Sequence, residues 1–317
     1  MTDVTPEARL WDIMRGTLAT RSLALVADLR VAEALADGPR PVEDVAREVG
    51  ADPDTLHRIL RALASDGVFA EEEPGVFRNT DVSEVLGRGD GWGDFAHLFG
   101  GVWHRTSGEL DASGDPPFPR TFGADFWTWL AGNPSERAAF DRAMGQGNER
   151  RVERLAGVDW RGDETVVDVG GGNGSLLLEL LRRQPGLRGV VFDLPETTRD
   201  EAAFGDRCTF VAGNFFEDIP PGDVYVLSTI LHDWPDESAA AILRTIRASA
   251  PADARVLLLE AVLLPGNEEH GAKWLDLLML ALFGGRERDE AQWRALLSGA
   301  GFEPAFVEDG LIEARCR

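Results

Sequence analysis

Cysteine, positive charge and long apolar runs are all scarce in this chain of 317 residues. Its two cysteines, Cys208 and Cys316, and the lack of a metal-type cysteine or histidine spacing argue against a disulfide framework or a metal site and favour a reducing compartment. No apolar run reaches the ~18–20 residues that a membrane-spanning helix needs. The first ten residues lack the charged and apolar regions of a secretory signal. We therefore expect a cytoplasmic protein that contacts no membrane and holds no metal.

The shortage of positive charge also argues against nucleic acid as a partner. The chain has 32 basic and 55 acidic residues, a formal net charge of −23. A surface with this excess of negative charge repels phosphate backbones. The length is sufficient for a sizeable core and about two domains.

The most informative stretch is residues 166–174, Val-Val-Asp-Val-Gly-Gly-Gly-Asn-Gly, which runs into the leucine-rich segment 175–181. This pattern predicts a buried strand, a tight glycine turn and the start of a helix. A second apolar run ends at Asp193, nineteen residues after Gly174. An acid at the end of the second strand is where a nucleotide-type cofactor presents its ribose hydroxyls. Gly170, Gly172 and Asp193 are therefore candidate cofactor-binding residues.

The spacing of the glycines favours one type of cofactor over another. A dinucleotide fingerprint, G-x-G-x-x-G/A, requires glycine or alanine where Ser175 stands. Asp168, two residues before the turn, is suited to a cationic group. S-adenosylmethionine carries positive charge on its sulfonium and amino groups, so it is favoured. A nicotinamide-dependent dehydrogenase remains the alternative.

Beyond residue 151 the chain alternates between strand-like and helical segments, which predicts a doubly wound parallel sheet, Rossmann-like in class. A hairpin over 302–307 and 311–314 closes it. The predicted parallel strands are 165–169, 189–193, 209–212, 224–228 and 255–260.

The N-terminal part predicts three helices followed by a β-hairpin, the outline of a winged helix. Residues 17–90 contain eight arginines, no lysine and fifteen acidic residues, a net charge of −7, and three glutamates, 71–73, begin the expected hairpin turn at 71–75. This charge disfavours a DNA-binding regulator. We expect a packing or dimerisation domain at 1–95, a helical connector at 96–150 with a loop at 116–119, and a catalytic domain at 151–317.

Three residues predict the chemistry. His232 lies in the loop after the fourth strand, where ligands bind in open α/β sheets, and its near-neutral pKa suits proton abstraction. Glu260 ends the fifth strand, and Glu287 lies in a loop after an apolar helix. A carboxylate on one imidazole nitrogen sets the tautomer and stabilises the imidazolium, so we expect both glutamates to converge on His232.

These motifs, in this order, resemble the S-adenosylmethionine-dependent O-methyltransferases of the plant caffeate and bacterial polyketide type. The resemblance rests on 167–174, Asp193-Leu194-Pro195, Gly213-Asn214-Phe215-Phe216, Leu231-His232-Asp233-Trp234 and Gly284-Gly285-Arg286-Glu287-Arg288, and it covers nearly the whole chain. It implies a homodimer formed through the winged helix. It also implies transfer of a methyl group to a hydroxyl of a small phenolic, polyketide-type molecule, with no metal and with S-adenosylhomocysteine as the product.

The resemblance also implies roles for individual residues. His232 matches the catalytic base, and Glu260 and Glu287 match the glutamates that orient it. The implied cofactor-binding residues are Asp168, Gly170, Gly172, Asp193, Leu194, Asn214, Phe215 and Ser228. The implied substrate-binding residues are Phe140, Met144, Asp233, Asp276, Met279 and Phe283.

The chain departs from the family pattern at the cofactor. Asn214 stands where aspartate is usual, and Ser228 and Thr229 stand where a basic residue is common, so one cofactor contact is missing. Some relatives on this fold keep S-adenosylmethionine but act as hydroxylases or decarboxylases, which is the alternative activity. The presence of His232, Glu260 and Glu287 favours methyl transfer.

Overall fold

A computed structural model describes residues 5–195, 197 and 205–317. The chain forms two compact units. The first contains the described residues up to Glu109 and Asn133–Gln146, and the second contains Leu110–Gly132 and Gly147–Arg317. The predicted connector at 96–150 is thus shared between both units, and the predicted domain boundaries stay a prediction.

The described helices and strands follow one another along the chain. The helices are α1 Pro6–Asp28, α2 Val31–Ala34, α3 Val42–Val49, α4 Pro53–Ser65, α5 Asp81–Gly87, α6 Trp92–Gly100, α7 Val102–Ser107, α8 Pro117–Phe122, α9 Phe126–Ala131, α10 Pro134–Met144, α11 Asn148–Ala156, α12 Ser175–Arg183, α13 Asp236–Ser249, α14 Ala272–Phe283 and α15 Glu290–Gly299. The strands are β1 Arg40–Pro41, β2 Phe69–Glu73, β3 Val76–Asn79, β4 Thr165–Val169, β5 Arg188–Asp193, β6 Cys208–Ala212, β7 Val224–Ser228, β8 Arg255–Leu259, β9 Val262–Leu263, β10 Arg288–Asp289, β11 Phe302–Glu308 and β12 Leu311–Cys316. None of the described helices is both long and apolar enough to cross a membrane.

The first unit has the winged-helix outline that the sequence predicts. Gly50, at φ +73°, ends α3, and the Asp52 side chain caps α4 by accepting from the Thr55 amide at 2.8 Å. Strands β1, β3 and β2 form an antiparallel sheet in that order. Leu60 of α4 and Phe77 of β3 are fully buried in the shared core.

The hairpin turn is shorter than the predicted turn at 71–75. The three glutamates at 71–73 belong to β2, and the turn is formed by Pro74 and Gly75, with Gly75 at φ +81°. Because β2 lies at the sheet edge, its polar side chains reach solvent. Glu72 pairs across the hairpin with Arg78 at 2.7 Å.

The second unit is built on a seven-stranded sheet of order β11-β12-β8-β7-β4-β5-β6. Strands β4 to β8 are parallel, and β12 and β11 add antiparallel to β8. The doubly wound sheet and its closing hairpin are therefore confirmed. Since β4 lies between β5 and β7, the strand order reverses there, and ligands of such sheets bind outside the carboxyl ends of these strands.

Two local predictions in this unit were wrong. Residues 116–119, expected as a loop, include the first turn of α8, because proline is well tolerated at the start of a helix. The connection between β6 and β7, expected to be helical, contains turns and no helix within residues 213–223, all of which are described. Gly213, Pro220, Pro221 and Gly222 leave too few helix-forming residues there.

Candidate active site

The glycine turn at the end of β4 requires a left-handed backbone. Gly170, Gly172 and Gly174 have φ values of +71°, +59° and +79°. The amides of Gly170 and Gly171 donate to the Phe192 carbonyl of β5 at 2.8 and 3.4 Å. Only glycine adopts such φ values without strain, so the sequence pattern follows from the backbone path.

The space around these glycines differs from one to the next. A Cβ on Gly170 would lie 2.5 Å from Ile230 Cδ1, and one on Gly171 would lie 2.7 Å from an Asp168 carboxylate oxygen. A Cβ on Gly172 would have no heavy atom of the described residues within 4 Å, its chain neighbours aside. The first two glycines are thus needed for packing, and the third borders open space where a ligand can approach the backbone.

Two carboxylates flank the turn and suit a cationic, hydroxyl-bearing ligand. Asp168 is 2% exposed, and its Oδ2 accepts no hydrogen bond within the described part of the chain. Burial, and then the charge of Asp193, raise the pKa of Asp168 to about 7. Asp193 accepts from the Gly172 amide at 2.7 Å and from Leu194 and Thr197 at 2.6 and 2.8 Å, which holds its carboxylate beside the turn.

The other predicted cofactor residues lie at the same edge of the sheet. Asn214, just beyond β6, accepts from the Phe216 amide at 3.0 Å and donates to Glu217 at 3.3 Å, so its side chain is engaged in its own turn. Phe215 is half-buried, with its ring 5.9 Å from that of Trp234. Leu194 follows β5, Ser228 ends β7, and both are half-buried.

The structure brings together the three residues predicted for catalysis. His232 lies in a short 3₁₀ turn, Leu231–Asp233, after β7. Its Nδ1 is 2.7 Å from Glu287 Oε1 and 3.8 Å from Glu260 Oε2, and its Nε2 is 3.4 Å from Asp233 Oδ1. His232 is 7% exposed and the two glutamates are 1–2% exposed.

Backbone amides hold the carboxylates in place. Glu260 Oε1 accepts from the amides of Ile230 and Leu231 at 3.0 and 2.8 Å, which ties β8 to the histidine turn. Asp276 of α14 accepts from the Glu287 amide at 2.7 Å. Glu260 Oε2 and Glu287 Oε2 are buried and accept no hydrogen bond within the described residues. Both oxygens therefore interact with His232 chiefly through charge.

The electrostatics of this cluster favour a proton on the imidazole. Burial opposes the charged form of His232, but the charges of Glu260 and Asp233 and the hydrogen bond that His232 donates to Glu287 outweigh it and raise its pKa to about 10. Burial is also the main reason that the pKa of Glu260 is raised, and it raises the pKa of Asp233 to about 7. The cluster thus retains protons at neutral pH that isolated side chains would lose.

His232, Glu260 and Glu287 also form a set of metal-type donors whose ligand atoms lie within 4.8 Å of one another. Two ligands on one tetrahedral zinc ion, each about 2.0–2.1 Å from the metal, stand about 3.3 Å apart. The 2.7 Å between His232 Nδ1 and Glu287 Oε1 is instead a hydrogen-bond distance. The arrangement fits a hydrogen-bonded acid–base cluster better than an ion site.

The predicted substrate residues fall in both units. Asp276, Met279 and Phe283 belong to α14 of the second unit, and Met279 is 5% exposed. Phe283 packs against Phe126 and Trp127 at centroid distances of 4.7 and 5.5 Å, with the rings of Phe283 and Trp127 stacked.

Two other predicted substrate residues lie in the first unit. Phe140 and Met144 are both half-buried in α10. Their predicted contact with the substrate stays a prediction.

Two residues that the sequence reasoning did not single out hold the histidine turn. A Cβ on Gly285 would lie 2.1 Å from the His232 carbonyl oxygen, to which the Arg286 amide donates at 2.8 Å. Arg288 is 0% exposed and donates to the carbonyls of Leu231 and Trp234 at 3.0 and 2.8 Å. The adjacent glycines of the run Gly-Gly-Arg-Glu-Arg indicate a close backbone approach, whereas nothing in the run distinguishes the buried Arg288 from the exposed Arg286.

Arg151 of α11 is a further residue missed from the sequence. Burial lowers its pKa, while the nearby charge of Glu260 raises it. Its Nη1 donates to Asn148 Oδ1 at 2.9 Å, and Asn148 donates to the Ser175 hydroxyl at the start of α12. A half-buried cation is therefore linked to the helix that follows the glycine turn.

Comparison with known proteins identifies the family. Residues 103–303 match the model of the O-methyltransferase domain, and residues 11–88 match that of the O-methyltransferase dimerisation domain. The chain therefore belongs to the S-adenosylmethionine-dependent O-methyltransferases that carry a dimerisation domain. The predicted family and enzyme class are confirmed.

Individual relatives are similar over nearly their whole length. The phenazine O-methyltransferase PhzM of Lysobacter antibioticus is 37% identical, over 96% of this chain and 95% of the relative. The crystal structure of LaPhzM matches with a TM-score of 0.92 and 35% identity, over 99% of this chain and 100% of that one. NcsB1, an O-methyltransferase from neocarzinostatin biosynthesis solved with S-adenosyl-L-homocysteine and 1,4-dihydroxy-2-naphthoic acid, matches with a TM-score of 0.75 and 33% identity, over 94% and 96% of the two chains.

Proposed function

We propose that this protein transfers a methyl group from S-adenosylmethionine to a hydroxyl of a small planar aromatic molecule, with His232 as the general base. The observation that carries the proposal is the buried His232–Glu287 hydrogen bond of 2.7 Å, reinforced by Glu260 on the same ring nitrogen. This arrangement orients an imidazole and stabilises its charged form, as a proton acceptor requires.

Residues around the glycine turn fit the cofactor. The buried Asp168 oxygen, which has no partner among the described residues, suits a cation, and Asp193 suits two ribose hydroxyls. Arg151 is proposed to supply the positive charge that Ser228 and Thr229 do not, by pairing with the cofactor's carboxylate. When bound, S-adenosylmethionine supplies a methyl group on positively charged sulfur to an oxygen nucleophile.

His232 is proposed to act through Nε2. Glu287 holds the hydrogen on Nδ1, which leaves Nε2 to accept the hydroxyl proton as the acceptor oxygen gains its methyl group. The imidazolium so formed lies among Glu260, Glu287 and Asp233, whose negative charges stabilise it. No metal is needed in this scheme, because the base and its counter-charges are all side chains.

The acceptor is proposed to be a flat, largely apolar phenol. Phe126, Trp127 and Phe283 form a ring cluster beside α14, which also carries Met279 and Asp276. The similar NcsB1 was solved with a dihydroxynaphthoic acid, and a similar relative is named for phenazine. Aromatic surfaces of this kind bind planar rings through stacked and edge-to-face contacts.

Replacing the base tests the proposal. We expect His232→Ala to lose methylation of 1,4-dihydroxy-2-naphthoic acid, or of a phenolic panel, by about 10²–10⁴-fold and to keep its affinity for S-adenosylhomocysteine. The control His57→Ala, in the first unit, should keep wild-type turnover. Unchanged turnover in His232→Ala would contradict the assignment. Hydroxylation or decarboxylation of the panel without methylation would establish the alternative activity.

Ligand-induced stabilisation tests the cofactor. A ligand at about 100 times its Kd stabilises a fold by about 2.7 kcal/mol, so S-adenosylhomocysteine and S-adenosylmethionine should raise Tm while NAD and NADP should not. Arg151→Gln should weaken S-adenosylhomocysteine binding about tenfold or more, because it removes a charge-assisted hydrogen bond. Stabilisation by a nicotinamide nucleotide alone would favour the dehydrogenase alternative.

We also propose that the chain forms a homodimer through its dimerisation domain. Five large apolar side chains of α1 are 57–69% exposed, namely Leu10, Trp11, Ile13, Met14 and Leu18. A second copy is the natural cover for such a surface. Light scattering should find a dimer for the wild type and for Val82→Glu, an exposed apolar site on α5, and a monomer for Trp11→Glu/Leu18→Glu.

A further inference from the structure

Arg288 has an unusual environment for a charged side chain. It is 0% exposed, and its guanidinium lies over the Trp293 ring at 5.1 Å. Nη1 donates to the Leu231 carbonyl at 3.0 Å, Nη2 to the Trp234 carbonyl at 2.8 Å and Nε to Asp236 Oδ1 at 2.9 Å. A buried charge is costly unless it is fully hydrogen-bonded, and here the planar fork meets partners on three sides.

The two carbonyls that Arg288 contacts bracket His232. Leu231 precedes the histidine and Trp234 follows it by two residues, so a single side chain holds both ends of the turn. We propose that Arg288 is a positioning residue for the reaction, which holds the His232 turn at hydrogen-bonding distance from Glu287. This inference rests on the proposed role of His232.

The neighbouring Arg286 offers a matched comparison. Its guanidinium pairs with Asp236 Oδ2 at 3.2 Å, so both arginines share one carboxylate. The Arg286 side chain is 44% exposed, however, so its ion pair with Asp236 lies at the surface and contributes little. Loss of the Arg286 side chain removes a cation two residues away and leaves the turn carbonyls bonded to Arg288.

Charge and geometry can be separated by the choice of substitution. The charged groups around Arg288 are Asp236, Arg286 and Glu260, and those around His232 are Glu260, Glu287 and Asp233. Arg288→Lys keeps the positive charge but loses the planar guanidinium that donates to three acceptors, whereas Arg288→Met loses both. Without the Arg288 cation, less positive charge offsets the negative charge of the carboxylates around His232. The pKa of His232 should therefore rise, and it should hold its proton to higher pH.

Two readouts test the proposal. The first readout is NMR of ¹⁵N-histidine-labelled protein. The imidazole signals of His232 are identified as those that are absent from the His232→Gln variant. Wild type and Arg286→Gln should show a downfield proton on Nδ1 shared with Glu287, and both Arg288 variants should lose or weaken it. The His232 titration midpoint should move upward in Arg288→Met and stay near that of the wild type in Arg288→Lys. This measurement does not depend on turnover, so its outcome is separate from that of the proposed function.

The second readout is the rate of methylation of 1,4-dihydroxy-2-naphthoic acid, or of another phenol that the wild type methylates. We expect kcat to fall about 10²-fold in Arg288→Lys, because misplacing a catalytic group by about 1 Å has this effect, with S-adenosylhomocysteine affinity within twofold of the wild type. Arg286→Gln should keep its kcat. If Arg288→Lys keeps both kcat and the Nδ1 signal, or loses cofactor affinity as steeply as kcat, the positioning role is wrong. Should Arg288→Met fail to fold, Arg288→Lys alone decides.

Discussion

Replacing Glu287 by glutamine perturbs a single contact of the site. The amide keeps the size of the carboxylate but removes the negative charge 2.7 Å from His232 Nδ1. Glu287 is 1% exposed, so solvent does not replace the lost charge. The Glu287 amide still donates to Asp276, because only the side chain changes. The perturbation therefore isolates what this carboxylate does for the imidazole.

The magnitude follows from the separation of the charges. An imidazolium and a carboxylate whose charge centres lie about 4 Å apart interact by about 4 kcal/mol at an effective dielectric constant of about 20. Since about 1.4 kcal/mol corresponds to a factor of ten in rate, a transition state that forms the imidazolium loses about 10³-fold. Glu260, 3.8 Å from the same nitrogen, remains and limits the loss.

The assay is the pH dependence of kcat for methylation. His232 must be neutral to accept a proton, so activity rises as pH increases through its pKa, which the carboxylates hold well above the usual value. In Glu287→Gln we expect a plateau about 10²–10³-fold lower and an acid limb shifted to lower pH. Glu290→Gln, which changes an exposed carboxylate of α15, should alter neither.

Two results would refute this reasoning. A plateau within threefold of the wild type would mean that the imidazolium does not form in the rate-limiting step. A lowered plateau with an unmoved acid limb would mean that the titrating group is not His232. Retained binding of S-adenosylhomocysteine shows in either case that the fold and the cofactor site are intact.

Three further predictions concern other parts of the chain. Gly285→Ala should lower kcat and Tm, because its Cβ would collide with the His232 carbonyl, whereas Gly271→Ala, with no atom within 4 Å, should be tolerated in both measurements. Treatment with EDTA followed by desalting should leave methylation unchanged, and activity restored only by added Zn²⁺ or Mg²⁺ would instead reveal a metal. The hydrogen bond that His97 donates to Asp28 raises the pKa of His97 to about 9 despite burial. Protonated His97 therefore stabilises the folded state, fully below about pH 6.5, and this stabilisation is lost as pH rises through about 9. Tm should fall across this range more in the wild type than in His97→Gln.

The sheet could be predicted from the sequence because its signals are local. Each parallel strand is a short, mainly apolar run, and the predicted boundaries agree with the structure within a residue. Because the carboxyl ends of parallel strands share one edge of the sheet, the sequence alone predicts that His232 and Glu260 lie close together.

What escaped prediction depends on contacts between distant segments. The pair β9–β10 has only two residues in each strand, too few for any periodic pattern. Arg288 and Gly285 act on carbonyls more than fifty residues earlier in the chain, and a buried arginine cannot be told from an exposed one by its neighbours in sequence. The helical start at Pro117 was missed because three prolines in four residues resemble a loop.

The short parallel pair β9–β10 has a consequence for how the chain around α14 can be altered. It joins Val262, two residues after Glu260, to Arg288, the residue after Glu287. The pairing therefore connects the chain before α14 to the chain after it. This pairing therefore helps to fix the distance between the carboxylates of Glu260 and Glu287. The loop between Leu264 and Gly271 lies in the segment between the paired strands. We therefore expect insertions or grafted loops in that stretch to leave Glu260 and Glu287 in place beside His232.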